Sequence, residues 1–160
     1  MWYIDGHDKL KPYGFSIHGC INGFSRRLIW LDVSSSNKKP ELITSYYINA
    51  VKQLGGIPKK LKTDDGTEHS LIERMHLALR DLSCDENVIQ SFSIVSSPLN
   101  QRIESYWSKL KQDRVGWWQR FFKDMIDLEI LDPSNPVVLD CVRFCFMHLI
   151  RKELLDVSQE

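Results

Sequence analysis

Met1-Trp2-Tyr3-Ile4-Asp5-Gly6 opens the chain, and Phe15-Ser16-Ile17-His18-Gly19-Cys20-Ile21 and Arg27-Leu28-Ile29-Trp30-Leu31-Asp32-Val33 follow it. The first run is short, apolar and aromatic, and reads as a strand ending at Asp5. The second alternates with period two, the pattern of a strand with two differently packed faces. Asn22-Gly23 after it is a hairpin signal. The third run supplies another strand, so the opening reads as an antiparallel meander.

From Pro40 onward the period changes. Leu42, Ile43, Tyr46, Tyr47, Ala50, Val51 and Leu54 fit an amphipathic helix, closed by Gly55-Gly56 and Pro58. Lys59 to Thr63 reads as a short strand and Thr67 to Leu82 as a second helix. Phe92 to Val95 is a further short strand, Ser96-Ser97-Pro98 a break, and a helix is predicted from near Asn100 to about Lys111. Beyond it the chain reads as helical: an amphipathic stretch from Trp117 to Leu131, a break at Asp132-Pro133-Ser134-Asn135-Pro136, and a last helix from about Val137 to Val157. This order implies an α/β domain, with a mixed five-stranded sheet, helices on both faces and a helical C-terminal extension. We divide it into a core, residues 1–115, and an extension packed on that core, residues 116–160.

With 160 residues, 42% of them hydrophobic and 26% charged, the chain can bury one real core. No run nears the roughly 18–20 apolar residues that cross a bilayer. No basic-then-apolar leader opens it, so an intracellular protein is expected. Cys20, Cys84, Cys141 and Cys145 form no CxxC pair and read as free, mostly buried thiols. Cys141, Cys145 and His148 share a helical face, but Val142, Phe144, Phe146 and Leu149 surround them, and we expect core packing there rather than zinc.

Net charge is zero, which by itself argues against a nucleic-acid binder. Its distribution says more. Residues 42–63 carry Lys52, Lys59, Lys60 and Lys62 and no acid, and residues 101–123 carry six bases against two acids. These basic segments directly precede Asp64 and surround Glu104. Solvated basic faces are the plain alternative.

Asp5, Asp64 and Glu104 stand out among the acids. The first two end strand-like runs, and strand ends place side chains at the rim of a sheet, where α/β folds gather their sites. Glu104 lies in the first turns of a predicted helix. Gly6 and Gly66 leave backbone for a close approach by metal or phosphate. Mg²⁺ takes oxygen ligands from carboxylates, water and phosphate, and three carboxylates can hold two such ions for phosphodiester chemistry.

The ordered motifs Trp2-x-x-Asp5-Gly6, Asp64-x-Gly66-x-Glu68 and Asn100-Gln101-Arg102-Ile103-Glu104-x-x-Trp107 resemble the integrase core domain of retroviral integrases and related transposases. The likeness is greatest to transposon-derived integrase-like proteins of animals. Ile21-Asn22-Gly23-Phe24-Ser25-Arg26 and Leu131-Asp132-Pro133-Ser134-Asn135-Pro136 also resemble family segments, so the likeness spans essentially the whole chain. The resemblance implies an RNase H-like fold and a DNA-integrating polynucleotidyl transferase. It further implies an Asp-Asp-Glu triad of Asp5, Asp64 and Glu104 with two Mg²⁺ or Mn²⁺ ions, and no small-molecule cofactor. Its partners would be transposon or viral DNA ends and target DNA, in a homo-oligomer in the nucleus and away from membranes. Asp65, where the family commonly has Asn or His, could compete as a ligand, and His69 stands where an Asn is usual.

Regular helical spacing sets Gln101, Glu104, Ser108 and Lys111 on one face. Lys111 could grip a DNA phosphate and Gln101 approach the backbone, with Arg102 and Lys62 as further contacts. A solvent-facing Lys111 is the alternative. Trp107, Trp117, Trp118, Phe121 and Phe122 are read as core or protein contacts before base-stacking groups. Two functions stand side by side: a DNA strand-transfer enzyme, and a domesticated, catalytically silent module that binds nucleic acid or protein.

Overall fold

Alternation along residues 1–34 builds the sheet. In the computed structural model, which describes residues 1–84, 86–95 and 101–159 apart from the side chains of residues 113 and 159, β1 (Trp2–His7), β2 (Ser16–Asn22) and β3 (Leu28–Ser34) pair antiparallel. β4 (Leu61–Thr63) lies parallel to β1, with Trp2 beside Leu61, and β5 (Phe92–Ile94) lies parallel to β4. The strand order is β3-β2-β1-β4-β5, which makes β1 central. Parallel neighbours need crossovers, and α1 (Pro40–Leu54) and α2 (Ser70–Leu82) supply them. α3 (Gln101–Leu110) continues through a π-helical turn, Lys111–Val115, into α4 (Gly116–Asp127), and α5 (Pro136–Gln159) ends the fold. This is the mixed sheet that the element order implies, in the RNase H-like form that the resemblance implies. The expected break at Ser96-Ser97-Pro98 and the start at Asn100 lie outside the described residues.

Each face of the sheet buries its own cluster. Trp2, Ile4, Cys20 and Leu61 pack with Ile43, Tyr47, Ala50 and Ile72 of α1 and α2. Tyr3, Ile17, Ile21, Leu31 and Val33 pack on the other face with Ile103, Trp107 and Leu110 of α3, Trp118 and Phe122 of α4, and Val142, Ile150 and Leu154 of α5. A fully buried side chain such as Phe122 contributes about 1.5–3 kcal/mol. Arg151 locks α5 to the edge strand, donating from Nε to Asp32 (2.7 Å) and from Nη2 to the Val33 carbonyl (2.7 Å). That covers the open edge of β3.

The thiols correct the sequence reading. Cys20 is buried, but Cys84, Cys141 and Cys145 are exposed. α5 buries the line Val142, Ile150 and Leu154, so Cys141, Cys145 and His148 face outward instead of packing in the core. The helix is apolar on more than one side, and spacing alone chose the wrong one. The aromatics divide similarly: Trp107, Trp118 and Phe122 are core, whereas Trp117 is 51% exposed and stacks on Phe121. No helix among the described residues is long and apolar enough to cross a membrane.

Candidate active site at the rim of the sheet

Asp5 sits inside β1 rather than at its last position, since Gly6 and His7 still pair with His18 and Ile17. The β1–β4 register puts Tyr3 beside Lys62, so two residues further on Asp64, just past β4, stands level with Asp5. Glu104 lies in the first turn of α3, three residues before Trp107 and on the same side of the helix. Trp107 ties that helix to the strand. Its Nε1–H donates to Asp5 Oδ2 at 3.0 Å, and its ring stacks on His7 with centres 5.0 Å apart.

The approach is possible because Gly19 faces Asp5 across the β1–β2 pair. A Cβ at Gly19 would lie 2.7 Å from Trp107 Cη2. Bare backbone in mid-strand lets the indole lie flat against the sheet. Gly6 serves a different neighbour from the one expected. The space beside it is filled by Asn37, whose Nδ2 would lie 2.9 Å from an added Cβ and donates to the Ile17 carbonyl at 2.7 Å.

Burial pushes the Asp5 carboxyl up from 3.8 to about 7. The Trp107 hydrogen bond opposes the shift, and the negative charges of Asp64 and Glu104 add to it. The three carboxylates therefore share one electrostatic neighbourhood. His7 moves the other way, to about 4, through burial and the positive charges of Lys9 and Lys111, which brings Lys111 to this side of α3.

Asp64 is oriented from the opposite face of the sheet. Its Oδ1 lies 3.0 Å from His69 Nδ1, close but out of hydrogen-bond alignment, and among the described residues neither buried atom has another hydrogen-bond partner. His69 Nε2 lies 3.4 Å from Nε2 of His18, and Trp30 Nε1–H donates to His18 Nδ1 at 3.2 Å. An indole only donates, so His18 Nδ1 accepts and the neutral ring carries its proton on Nε2. His69 Nε2 then accepts, leaving the His69 proton on Nδ1, facing Asp64. Burial keeps His18 neutral by holding its pKa well below the usual range.

The remaining expected contacts are distributed around α3. Lys111 is exposed and lines a shallow groove of about 730 Å³ with Ser108, Arg120 and Lys123. Lys62 and Arg102 lie over the Tyr3 ring, 5.6 and 6.0 Å from its centre. Gln101 and Arg102 are exposed and line a separate groove, on the flank away from Glu104. Asp65 is exposed. Sequence reasoning missed Gly19, Trp30 and the indole donor on Asp5. The mid-strand glycine was their one readable signal.

The profile of the integrase core domain family matches residues 1–160. The chain belongs to this family. Neither the curated proteins nor the solved structures contain a match. In this integrase core domain the donor chemistry of the rim suits a hard divalent cation: three carboxylates, with Asp64 Oδ1 buried and lacking an aligned partner. The spacing is looser than a finished cage. Among the described residues no three His, Cys, Asp or Glu side chains are arranged to hold a metal ion. Both Asp5 oxygens already accept hydrogen bonds, Oδ1 from Gly6 N–H at 2.9 Å and Oδ2 from Trp107.

Proposed function

We propose that this integrase core domain is a polynucleotidyl transferase that cuts and joins DNA phosphodiesters, with Asp5, Asp64 and Glu104 as the ligands of two Mg²⁺ or Mn²⁺ ions. The observation that carries the reading is the placement of a buried Asp5 level with Asp64, with Glu104 in the first turn of the helix that packs on that strand; burial raises the Asp5 carboxyl to about 7, in keeping with it. Crowded, desolvated carboxylates with a raised pKa are a recurrent mark of functional sites. Bound cations would supply Lewis acidity, activating water or a DNA 3′-hydroxyl and stabilising in-line displacement at phosphorus.

The protein's own part is positioning. Trp107 fixes the Asp5 carboxylate plane, and His69 faces one oxygen of Asp64. Lys111 and Lys62 hold the DNA backbone beside the carboxylates, and Gln101 and Arg102, on the other flank of α3, meet it only where it passes over the helix. Below about pH 7 Asp5 keeps its proton, so loading the site with cation releases one. We infer nuclear action from the proposed DNA substrate, and exposed Trp117, stacked on half-buried Phe121, suits a homo-oligomer contact.

The test is metal-dependent nicking and strand transfer on a terminal DNA duplex. Asp64→Asn removes charge stabilisation worth several kcal/mol, and activity should fall on the order of 10³-fold. Activity within about tenfold of wild type would sink the assignment.

The engaged oxygens of Asp5 and the unfinished ligand spacing favour a second reading, a transposon-derived module that has become catalytically silent and binds nucleic acid or protein. Calorimetry separates the two readings. Heat of binding at millimolar Mg²⁺ or Mn²⁺ supports the enzyme, and none supports the module.

A further inference from the structure

We propose a second nucleic-acid site on the flank of α3 that faces away from the carboxylates, where the β2–β3 hairpin, α3 and the end of α5 enclose a basic groove. It goes beyond the proposed reaction and needs no metal. Two adjoining hollows of about 550 and 630 Å³ share Arg26, Tyr106 and Lys109 as walls. Their linings include Arg26, Arg27, Arg102, Lys109 and Arg114, and among the described residues no aspartate or glutamate. A cluster of Arg26, Arg27, Arg102 and Lys109 with no acid among its described lining residues, in a chain of zero net charge, makes a local field that selects a polyanion.

α3 divides the two surfaces. At 3.6 residues per turn, Glu104 and Lys111 fall on one side of the buried stripe of Ile103, Trp107 and Leu110, and Arg102 and Lys109 fall on the other. The groove therefore sits about one helix width, roughly 10–12 Å, from the carboxylates. Exposed Gln101, Ser105 and Ser108 form an uncharged crest between them, over which a phosphate backbone can pass.

The hairpin tip supplies the second, independent observation. Asn22 closes the turn, its N–H donating to the Arg27 carbonyl and its own carbonyl accepting from Arg26 N–H, both at 2.8 Å. Its Oδ1 also accepts from Phe24 N–H at 2.9 Å. This turn holds Arg26 at φ 58°, a left-handed position where glycine would sit without strain, and leaves Phe24 96% exposed. A bare aromatic ring beside a cationic groove is the arrangement that binds single strands, the cations tracking phosphates and the ring stacking on a base. The geometry points to a single-stranded segment, with Arg26, Arg27 and Lys109 on its backbone and Phe24 on one base.

The test is fluorescence anisotropy with the whole 160-residue chain in EDTA, so that the carboxylate site is silent. The probe is labelled oligothymidylate of about 20 nucleotides, longer than the roughly 4–16 that one small fold covers. Arg26→Gly suits the left-handed backbone and Lys109→Gln is exposed, so the double variant should fold. It should bind at least about tenfold more weakly, with the salt slope reduced by about 1.4 for two lost contacts. Phe24→Ala should weaken the single strand about tenfold and a matched duplex by less than about twofold. Lys52→Gln, exposed on α1 and lining neither hollow, should bind as wild type. The proposal is overturned if the wild-type chain does not bind, if the double variant binds within about twofold of it, or if a poly-glutamate peptide competes as well as the oligonucleotide. Any of these leaves nicking by wild type, and its loss in Asp64→Asn, as they were, so the two sites fail separately.

Discussion

Asp5 and Asp64 stand level on neighbouring parallel strands and are held in different ways. Asp5 lies on the face covered by α3, 7% exposed, and takes a hydrogen bond directly from an indole. Asp64 lies at the rim with its side chain 34% exposed, and what faces it is an imidazole, itself oriented through a second imidazole by another indole. Trp107 acts in one step and Trp30 through two rings. A donor that cannot change role thus stands behind each carboxylate. The direct one fixes Asp5 at the cost of burying it, whereas the indirect one leaves Asp64 open to water and to a ligand.

The largest expected effect comes from burial. With a folded pKa of about 7 against 3.8, folded Asp5 keeps a proton that the unfolded chain has already lost between those values. Stability from this group therefore falls as pH rises through that window, and the full cost, about 4 kcal/mol, is present above pH 7. Asp5→Asn removes it. An amide offers one acceptor where Gly6 N–H and Trp107 each need one, which gives back about 1 kcal/mol. In EDTA, urea melts should show the variant gaining about 3 kcal/mol over wild type at pH 8, and the gain vanishing near pH 4. His7 and His76, held down to about 4 by burial, lose stability in the opposite direction as pH falls from 6.5, but they do so in both proteins and cancel. A difference that stays flat with pH would mean that Asp5 is not the strained partner of the pair.

Trp107 comes next. Trp107→Phe keeps a ring but deletes the donor to a buried, charged acceptor, and should cost about 2 kcal/mol at pH 8. Gly19→Ala pushes a methyl into the same ring and should cost about 1–3 kcal/mol. Because both act through one contact, the double variant should lose less than the two costs added together. Additive losses in denaturant melts would show that Gly19 does not work through Trp107.

The sheet and its helices were legible because each writes itself locally: period two in residues 16–22 and period 3.6 from Leu42 to Leu54. The acids were singled out at strand ends and a helix start, yet Asp5 lies inside β1, two residues before its end. What holds the acids was not legible. Asp5 and Trp107 are 102 positions apart, and His18 and His69 are 51 apart, so no window of sequence contains either contact. The outward face of α5 was misread for a related reason. Cys141 and Cys145 look like core in an apolar helix, and only the direction of β3 and Arg151 decides which stripe is covered.

The smallest effect tests the indirect arm. Trp30→Phe keeps an aromatic ring against His18 but removes the indole donor that forces His18 Nδ1 to accept, and one neutral hydrogen bond is worth about 1 kcal/mol. The informative readout is the ring nitrogens by NMR. Wild type should show one proton position on each of the facing nitrogens, Nε2–H for His18 and Nδ1–H for His69, because each follows from the indole donor at the far end. In Trp30→Phe that constraint is gone, and His18 should populate both forms, with the His69 proton no longer confined to the nitrogen facing Asp64. Trp107→Phe should leave these signals unchanged, since Trp107 meets Asp5 on the other face of the sheet. If Trp30→Phe keeps single tautomers, Asp64 itself must orient His69, and control runs from the carboxylate inward rather than from the indole outward.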